Sequence, residues 1–236
     1  MTVNRSRSPY HSLRRAKYAG RKIMTDSNKK IFYKNQAESI IKKLQLRKME
    51  GYYADSMEEA CAKVLELIGS GKKSVAYGGS MTIDGSDLKD RIKSAGHDLI
   101  VREQYKSPEE VKELKAKMIN ADTFMMSTNA ITLDGELINI DGRGNRVSYL
   151  IYGPDQVIVI AGMNKVVKDV NAGIDRTRNI ASPANTVRLS CDTPCARIGR
   201  CGDCLEHTIC CEIVITRASM IPGRIKVILV GEELGY

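Results

Sequence analysis

Tryptophan is absent from these 236 residues, phenylalanine occurs twice and histidine three times. With so few aromatics, a core must be filled by Ile, Val, Leu and Met. The three histidines lie far apart: His11 in a polar N-terminal stretch, His97 before a predicted strand, and His207 among cysteines. A Ser-His-Asp or Cys-His hydrolase is therefore not indicated. No window approaches the ~18 uninterrupted apolar residues of a membrane span. The N-terminus has neither the apolar core nor the cleavage site of an export leader. The expectation is a cytoplasmic chain whose thiols stay reduced.

A strongly charged body is also missing, although the formal net charge is +9. Of the 37 Lys and Arg, seven (Arg5, Arg7, Arg14, Arg15, Lys17, Arg21 and Lys22) fall within residues 1–23, which hold no acidic residue. The remaining 30 face 28 Asp and Glu, so the body is close to neutral and nucleic-acid binding is not indicated. Residues 1–29 read as a basic, disordered tail with little apolar pattern. It can be read as an arm for nucleic acid or another acidic partner, as a targeting peptide, or as sequence upstream of a start at Met24.

What is abundant is cysteine in one place. Six of the seven fall between positions 191 and 211, in the spacing C-x3-C-x5-C-x2-C-x5-C-C. In a reducing compartment such clustering reads as metal ligation rather than disulfides. Cys201-Gly202-Asp203-Cys204 is a knuckle in which glycine lets the backbone turn, so that both sulfurs face one centre. Cys195 and Cys210 flank it. Four thiolates suit tetrahedral zinc or a [4Fe–4S] cluster. A single knuckle between two distant thiols favours iron–sulfur slightly, with zinc the alternative. Cys191, Cys211 and His207 are spare ligands. Cys61 lies on an apolar helical stripe and reads as a packed thiol.

Periodicity supplies the architecture. Ala37, Ile40, Ile41 and Leu44 mark one helical face, and Ser56 with Glu59 forms a capping box for a second helix. Ser107-Pro108-Glu109-Glu110 opens another. Strands are predicted at 74–77, 99–101, 123–128, 136–140, 147–152, 156–161, 212–217 and 224–230. A helix is predicted over 165–180, closed by Pro183. The runs 157–160 and 227–230 are continuously apolar, as in strands covered on both faces. The reading is one α/β domain over 30–236, a Rossmann-like three-layer sheet with helices on both faces and an inserted cysteine loop at 191–211.

Three polar turns follow strands in that reading. Gly78, Gly79, Ser80 and Thr82 form a loop between a strand and a helix, where backbone N–H groups and hydroxyls can meet an anion. Its pattern matches neither the Walker nor the G-x-G-x-x-G form, and a plain capped turn would look the same. Asp141, Arg143, Asn145 and Arg146 lie in a second Gly-rich turn, whose arginines can fork a carboxylate or phosphate or simply be solvated. Asn164 and Lys165 follow the strand at 156–161. Ligands of open α/β sheets sit outside the carboxyl ends of strands, so all three turns can converge on one small anionic ligand.

In combination these residues resemble the LUD-domain proteins, named for lactate utilization, and their cysteine-containing branch. The resemblance rests on Gly78-Gly79-Ser80-Met81-Thr82, on Asn129 through Arg146, and on Ile151-Tyr152-Gly153-Pro154 followed by Ala161-Gly162-Met163-Asn164-Lys165. Thr193-Pro194-Cys195, Gly199 through Cys204, Ile209-Cys210 and Ile228 through Glu232 complete it. It covers roughly residues 30–236, and the basic tail has no counterpart there. It implies a fold similar to the NagB/RpiA/CoA-transferase group, whose glycine loops bind phosphates or acyl-CoA, so that the small anionic ligand can be a carboxylate, a phosphate or CoA-like. The resemblance also implies oxidation of L-lactate to pyruvate alongside iron–sulfur partner proteins. It further implies Cys195, Cys201, Cys204 and Cys210 as cluster ligands, and Gly78, Gly79, Ser80 and Thr82 as a ligand loop facing Asp141, Asn145 and Arg146. Cys191 and Cys211 fall outside its pattern, and no catalytic glutamate of the CoA-transferase kind can be placed.

Overall fold

The computed structural model describes residues 27–236 in full and, for residues 10–26, the helical backbone alone. The basic side chains of residues 1–23 and the alternative start at Met24 lie outside the described residues. The first helix, α1 (Tyr10–Leu46), carries the expected apolar face at its C-terminal end, where Ala37, Ile40 and Leu44 are fully buried.

Six strands form one parallel sheet: β1 (Glu50–Ala54), β2 (Ser74–Tyr77), β3 (Asp98–Leu99), β4 (Thr123–Met126), β7 (Gln156–Gly162) and β10 (Ile225–Val230). Their spatial order is β1-β10-β7-β4-β2-β3. Alternate residues of each strand feed two separate cores. On one face Val157, Val159, Val227 and Leu229 meet α1 and α5 (Pro108–Ile119). On the other, Ile158, Ile160, Ile228 and Val230 meet α2 (Met57–Ile68), α3 (Met81–Asp84) and α4 (Leu88–Ser94). The continuously apolar runs are thus buried from both sides. Cys61 is packed in the second core at 1% exposure, as its place on the α2 stripe predicts. Among the described residues no helix is long and apolar enough to cross a membrane.

A smaller sheet, ordered β8-β5-β6-β9, grows from the carboxyl ends of the large one. β4 runs on within a few residues into β5 (Ala130–Thr132), and β7 into β8 (Val166–Val167). β5 and β6 (Leu137–Asp141) form the predicted hairpin, with Gly135 at φ 88° in its turn. β9 (Glu212–Thr216) pairs antiparallel with β6 and brings the cysteine segment back to the sheet.

Two predicted elements differ. Residues 147–152 are not a strand but belong to α6 (Asn145–Ile151). Gly144 turns the chain at φ 64°, and the Asp141 carboxylate accepts from the N–H groups of Arg146 (2.9 Å) and Val147 (3.1 Å). That satisfies the first turn of a helix whose Val147 and Leu150 face inward. Nor does a single helix span 165–180. α7 (Val170–Arg176) passes through a π turn at Thr177–Ala181 into α8 (Ser182–Arg188), which contains Pro183. The Ser182 N–H reaches back five residues to the Thr177 carbonyl, and Pro183 sits in a first turn where its missing N–H costs nothing.

Arg224 ties these layers together. Its buried guanidinium donates to the carbonyls of Pro154 (3.0 Å), Leu150 (2.8 Å) and Tyr149 (3.1 Å), closing the end of α6 against β10. Replacing it in Arg224→Met leaves buried carbonyls unpaired, and urea unfolding should show a loss of about 2–3 kcal/mol.

Candidate functional site

The loop after β2 is shaped by what passes beside it. The Gly78 N–H donates to the Met125 carbonyl at 2.9 Å, and a Cβ at Gly78 would meet the Arg146 side chain at 3.0 Å. Glycine therefore lets the arginine stem cross the strand end. Ser80 caps the single turn of α3 by accepting from the Ile83 N–H, and Thr82 points inward at 3% exposure.

A cleft of about 770 Å³ opens at this carboxyl end of the sheet. Of the sequence candidates it is lined by Gly79, Ser80, Asp141, Arg143, Asn145, Arg146 and Lys165. Gly78, Thr82 and Asn164 stand behind the wall. Gly78 accommodates Arg146, Thr82 lies under Lys165, and the Asn164 side-chain oxygen accepts from the Leu234 N–H at 3.1 Å, which holds the C-terminal segment. Sequence reasoning missed Arg102, Arg188 and the run Ser127-Thr128-Asn129. That run is a polar patch at the end of β4, readable by the same strand-end rule. Arg102 and Arg188 lie on unrelated elements, and nothing in their spacing marks them.

The two arginines of the 141–146 turn differ in kind. Arg146 engages its whole guanidinium within the protein, through the carboxylate of Asp141 (Nη2 to Oδ1, 2.7 Å), the amide oxygens of Asn139 (2.6 Å) and Asn129 (2.9 Å), and the carbonyls of Ser127 (2.9 Å) and Ile140 (3.2 Å). It is a post that holds β4, β5, β6 and α6 together. Arg143 is exposed at the cleft wall, with Arg102 and Arg188 beside the same space.

Lys165 is the most unusual group in the cleft. It is 3% exposed, and its Nζ lies 2.8 Å from the Ser127 hydroxyl and 3.2 Å from the Thr82 hydroxyl, with no carboxylate of the described residues in contact. Burial first, then the charges of Arg176 and Arg146, lowers its pKa to about 7. Arg176 is itself buried, donating to the carbonyls of Asn129 (2.6 Å) and Asn164 (3.2 Å).

The cysteine segment forms the adjoining wall. None of the cysteines is in a disulfide. Cys195 is buried between the hydroxyls of Thr186 (3.4 Å) and Thr193 (3.3 Å), Cys201 receives the Arg178 guanidinium at 3.3 Å, and Cys210 contacts the Ser182 hydroxyl at 3.4 Å. Burial raises the Cys210 thiol, and Cys195, Cys201 and Cys204 push it the same way, so all four thiols share one neighbourhood. Among the described residues no three His, Cys, Asp or Glu side chains stand close enough to hold a single metal ion. Cys211 is exposed, and the His207 side chain is mostly so.

Cleft and thiols are contiguous. Ser182 and Thr208 both line the cleft, and Thr208 accepts from the Cys210 N–H at 3.0 Å. The Cys211 N–H donates to the Asp141 carbonyl at 2.9 Å. A Cβ at Gly142 would meet the Ile209 carbonyl at 3.0 Å, so glycine lets the arginine turn and the cysteine loop touch.

Two measurements check this division of roles. Arg143→Ala should weaken binding of a small anion such as phosphate or lactate about tenfold in calorimetric titration, at an unchanged melting temperature. Arg146→Lys should lower the melting temperature as well, because it breaks the shared post. Lys165 makes a further prediction. Its folded pKa near 7 lies below its unfolded value, so between about pH 7 and 10.5 the unfolded chain binds the extra proton and stability should rise with pH. Below pH 7 that gain is absent. In Lys165→Met the rise across this window, read by urea unfolding, should be flatter.

The LUD domain model matches residues 37–230. Among solved structures the chain is similar to a duf162 family protein from Deinococcus radiodurans, at 17% identity over 85% of this chain and 98% of that chain, with a TM-score of 0.45. It is similar over less of its length to ribose 5-phosphate isomerase from Plasmodium falciparum, at 16% identity over 46% of this chain and 51% of that one, with a TM-score of 0.29. The delta chain of eIF2B from Chaetomium thermophilum follows at 16% identity, 45% and 46% coverage and a TM-score of 0.28. No curated protein matches the chain. Since the family model spans the six-stranded sheet and the cysteine segment, the chain belongs to the LUD domain family.

Proposed function

We propose that the chain is an iron–sulfur redox component that holds a small carboxylate such as lactate in the cleft and works with iron–sulfur partner proteins. The observation that carries this reading is contiguity. Ser182 and Thr208 line the cleft and also bond to Cys210, so a bound anion and the thiols lie on two sides of one wall.

The residues fit a cluster. Four reduced thiols share one neighbourhood, and each of Cys195, Cys201 and Cys210 has a hydroxyl or guanidinium partner that would stabilise a thiolate. A multi-iron cluster takes one thiolate per iron, whereas tetrahedral zinc, the alternative, takes all four on one ion. A [4Fe–4S] cluster on Cys195, Cys201, Cys204 and Cys210 would supply one-electron transfer.

The remaining chemistry belongs to the cleft. Of the acidic groups lining it, Asp141 is committed to Arg146, Asp84 to Lys89 and Glu103 to Arg102 at 3.8 Å, which leaves Arg143 and Arg188 as its guanidinium groups uncommitted to those acids. A carboxylate entering this space meets guanidinium forks suited to bidentate pairing. The backbone of Gly79 and the Ser80 turn bound the opposite side.

Protein purified without oxygen should be brown, carry about four iron atoms per chain, and lose its visible absorption on dithionite reduction. Cys204→Ser should abolish the colour. A colourless protein with one zinc per chain would remove the redox role, leaving a ligand-binding protein with a structural zinc loop.

A further inference from the structure

Lys165 carries more than a binding charge. A lysine buried at 3% exposure normally ion-pairs, yet the groups packed on this one are two hydroxyls, from Thr82 on α3 and Ser127 at the end of β4. The charged groups facing it are both cations: Arg176 from α7 and Arg146 from α6, the latter paired to Asp141 of β6. This is the environment of an amine kept as a nucleophile rather than as a charge. Lys165 is among the residues lining the cleft, as are its hydroxyl partner Ser127 and the exposed Arg143.

We infer that Lys165 is a covalent catalytic residue, forming an imine with the carbonyl carbon of a small 2-oxo carboxylate whose carboxylate the cleft arginines hold. The ligand class follows from the pairing of groups: a buried amine between two cations and without a carboxylate partner among the described residues calls for a carbonyl, and the guanidinium forks beside it call for an adjacent anion.

The steps balance without an oxidant or reductant. The neutral amine adds to the carbonyl carbon, a C–N bond forms, and the carbonyl π pair moves to oxygen. That oxygen takes the proton released by nitrogen, through the Ser127 hydroxyl 2.8 Å away. A second proton, from water in the open cleft, converts the new hydroxyl into a leaving water, and the nitrogen lone pair closes the iminium. The positive charge formed between Arg146 and Arg176 is offset by the ligand's carboxylate. Thr82 holds the amine from the other side, and its own hydroxyl lies 3.5 Å from the Leu234 carbonyl.

The inference uses the carboxylate-binding half of the proposed function and not the cluster. Its test is trapping with pyruvate, the simplest 2-oxo carboxylate. The full chain is incubated with pyruvate and cyanoborohydride, then measured by intact mass and peptide mapping. The expected result is a mass gain of one pyruvate, less water and plus two hydrogens, located on Lys165. Its rate should be at least about tenfold above that of any other lysine at neutral pH. Lactate, which lacks the carbonyl, should give none. Lys165→Arg should abolish the adduct, and Cys204→Ser should keep it, which separates this site from the thiol site. Labelling spread over surface lysines, or an adduct that persists in Lys165→Arg, overturns the inference. If that variant does not fold, the peptide map of the wild-type chain decides alone.

Discussion

Everything at the carboxyl end of the large sheet hangs on the ion pair between Arg146 and Asp141. The carboxylate caps the first turn of α6 and receives the guanidinium, while the other N–H groups of that guanidinium fasten the ends of β4, β5 and β6. The pair is nearly buried, with side-chain exposures of 12% and 7%, and both charges have their hydrogen bonds met. That is the condition under which a buried pair holds a geometry instead of merely costing desolvation. The small sheet, the cleft and the placement of the cysteine loop all follow from it.

The same post sets the chemistry next to it. Arg146 and Arg176 bring two fixed positive charges to the side of Lys165, and among the described residues no carboxylate balances the lysine. A third cation there is disfavoured, so burial and repulsion act together on one amine. Asp141 also fixes the neighbouring wall, through its own carbonyl on the Cys211 N–H. At Gly78 and Gly142 a side chain would crowd this packing, one against the arginine stem and the other against the Ile209 carbonyl.

Much of this was legible from residues alone. The continuously apolar runs in β7 and β10 announced a doubly covered sheet, and Ser107 with Glu110 formed the capping box their spacing required. The turns at 78–82, 141–146 and 164–165 lie together because strand ends of one parallel sheet lie together. Three things were hidden. The strand predicted at 147–152 was overridden by a carboxylate cap supplied from β6. Pro183 was absorbed by a π turn whose hydrogen bond skips one residue. The state of Lys165 depends on Arg176 and on burial, both products of tertiary structure, and the sequence shows only a lysine after an asparagine.

The central claim is that the cationic cleft and the four-thiol wall form one functional unit, joined through Ser182, Thr208 and Cys210. Its most direct test is electron paramagnetic resonance of the anaerobic, dithionite-reduced protein, recorded with and without a saturating small carboxylate. The expected result is an iron–sulfur signal whose shape changes when the cleft is filled, because the ligand then lies against Ser182, whose hydroxyl contacts the Cys210 thiol. A protein without that signal, or one whose signal is identical with the cleft empty and full, would contradict it.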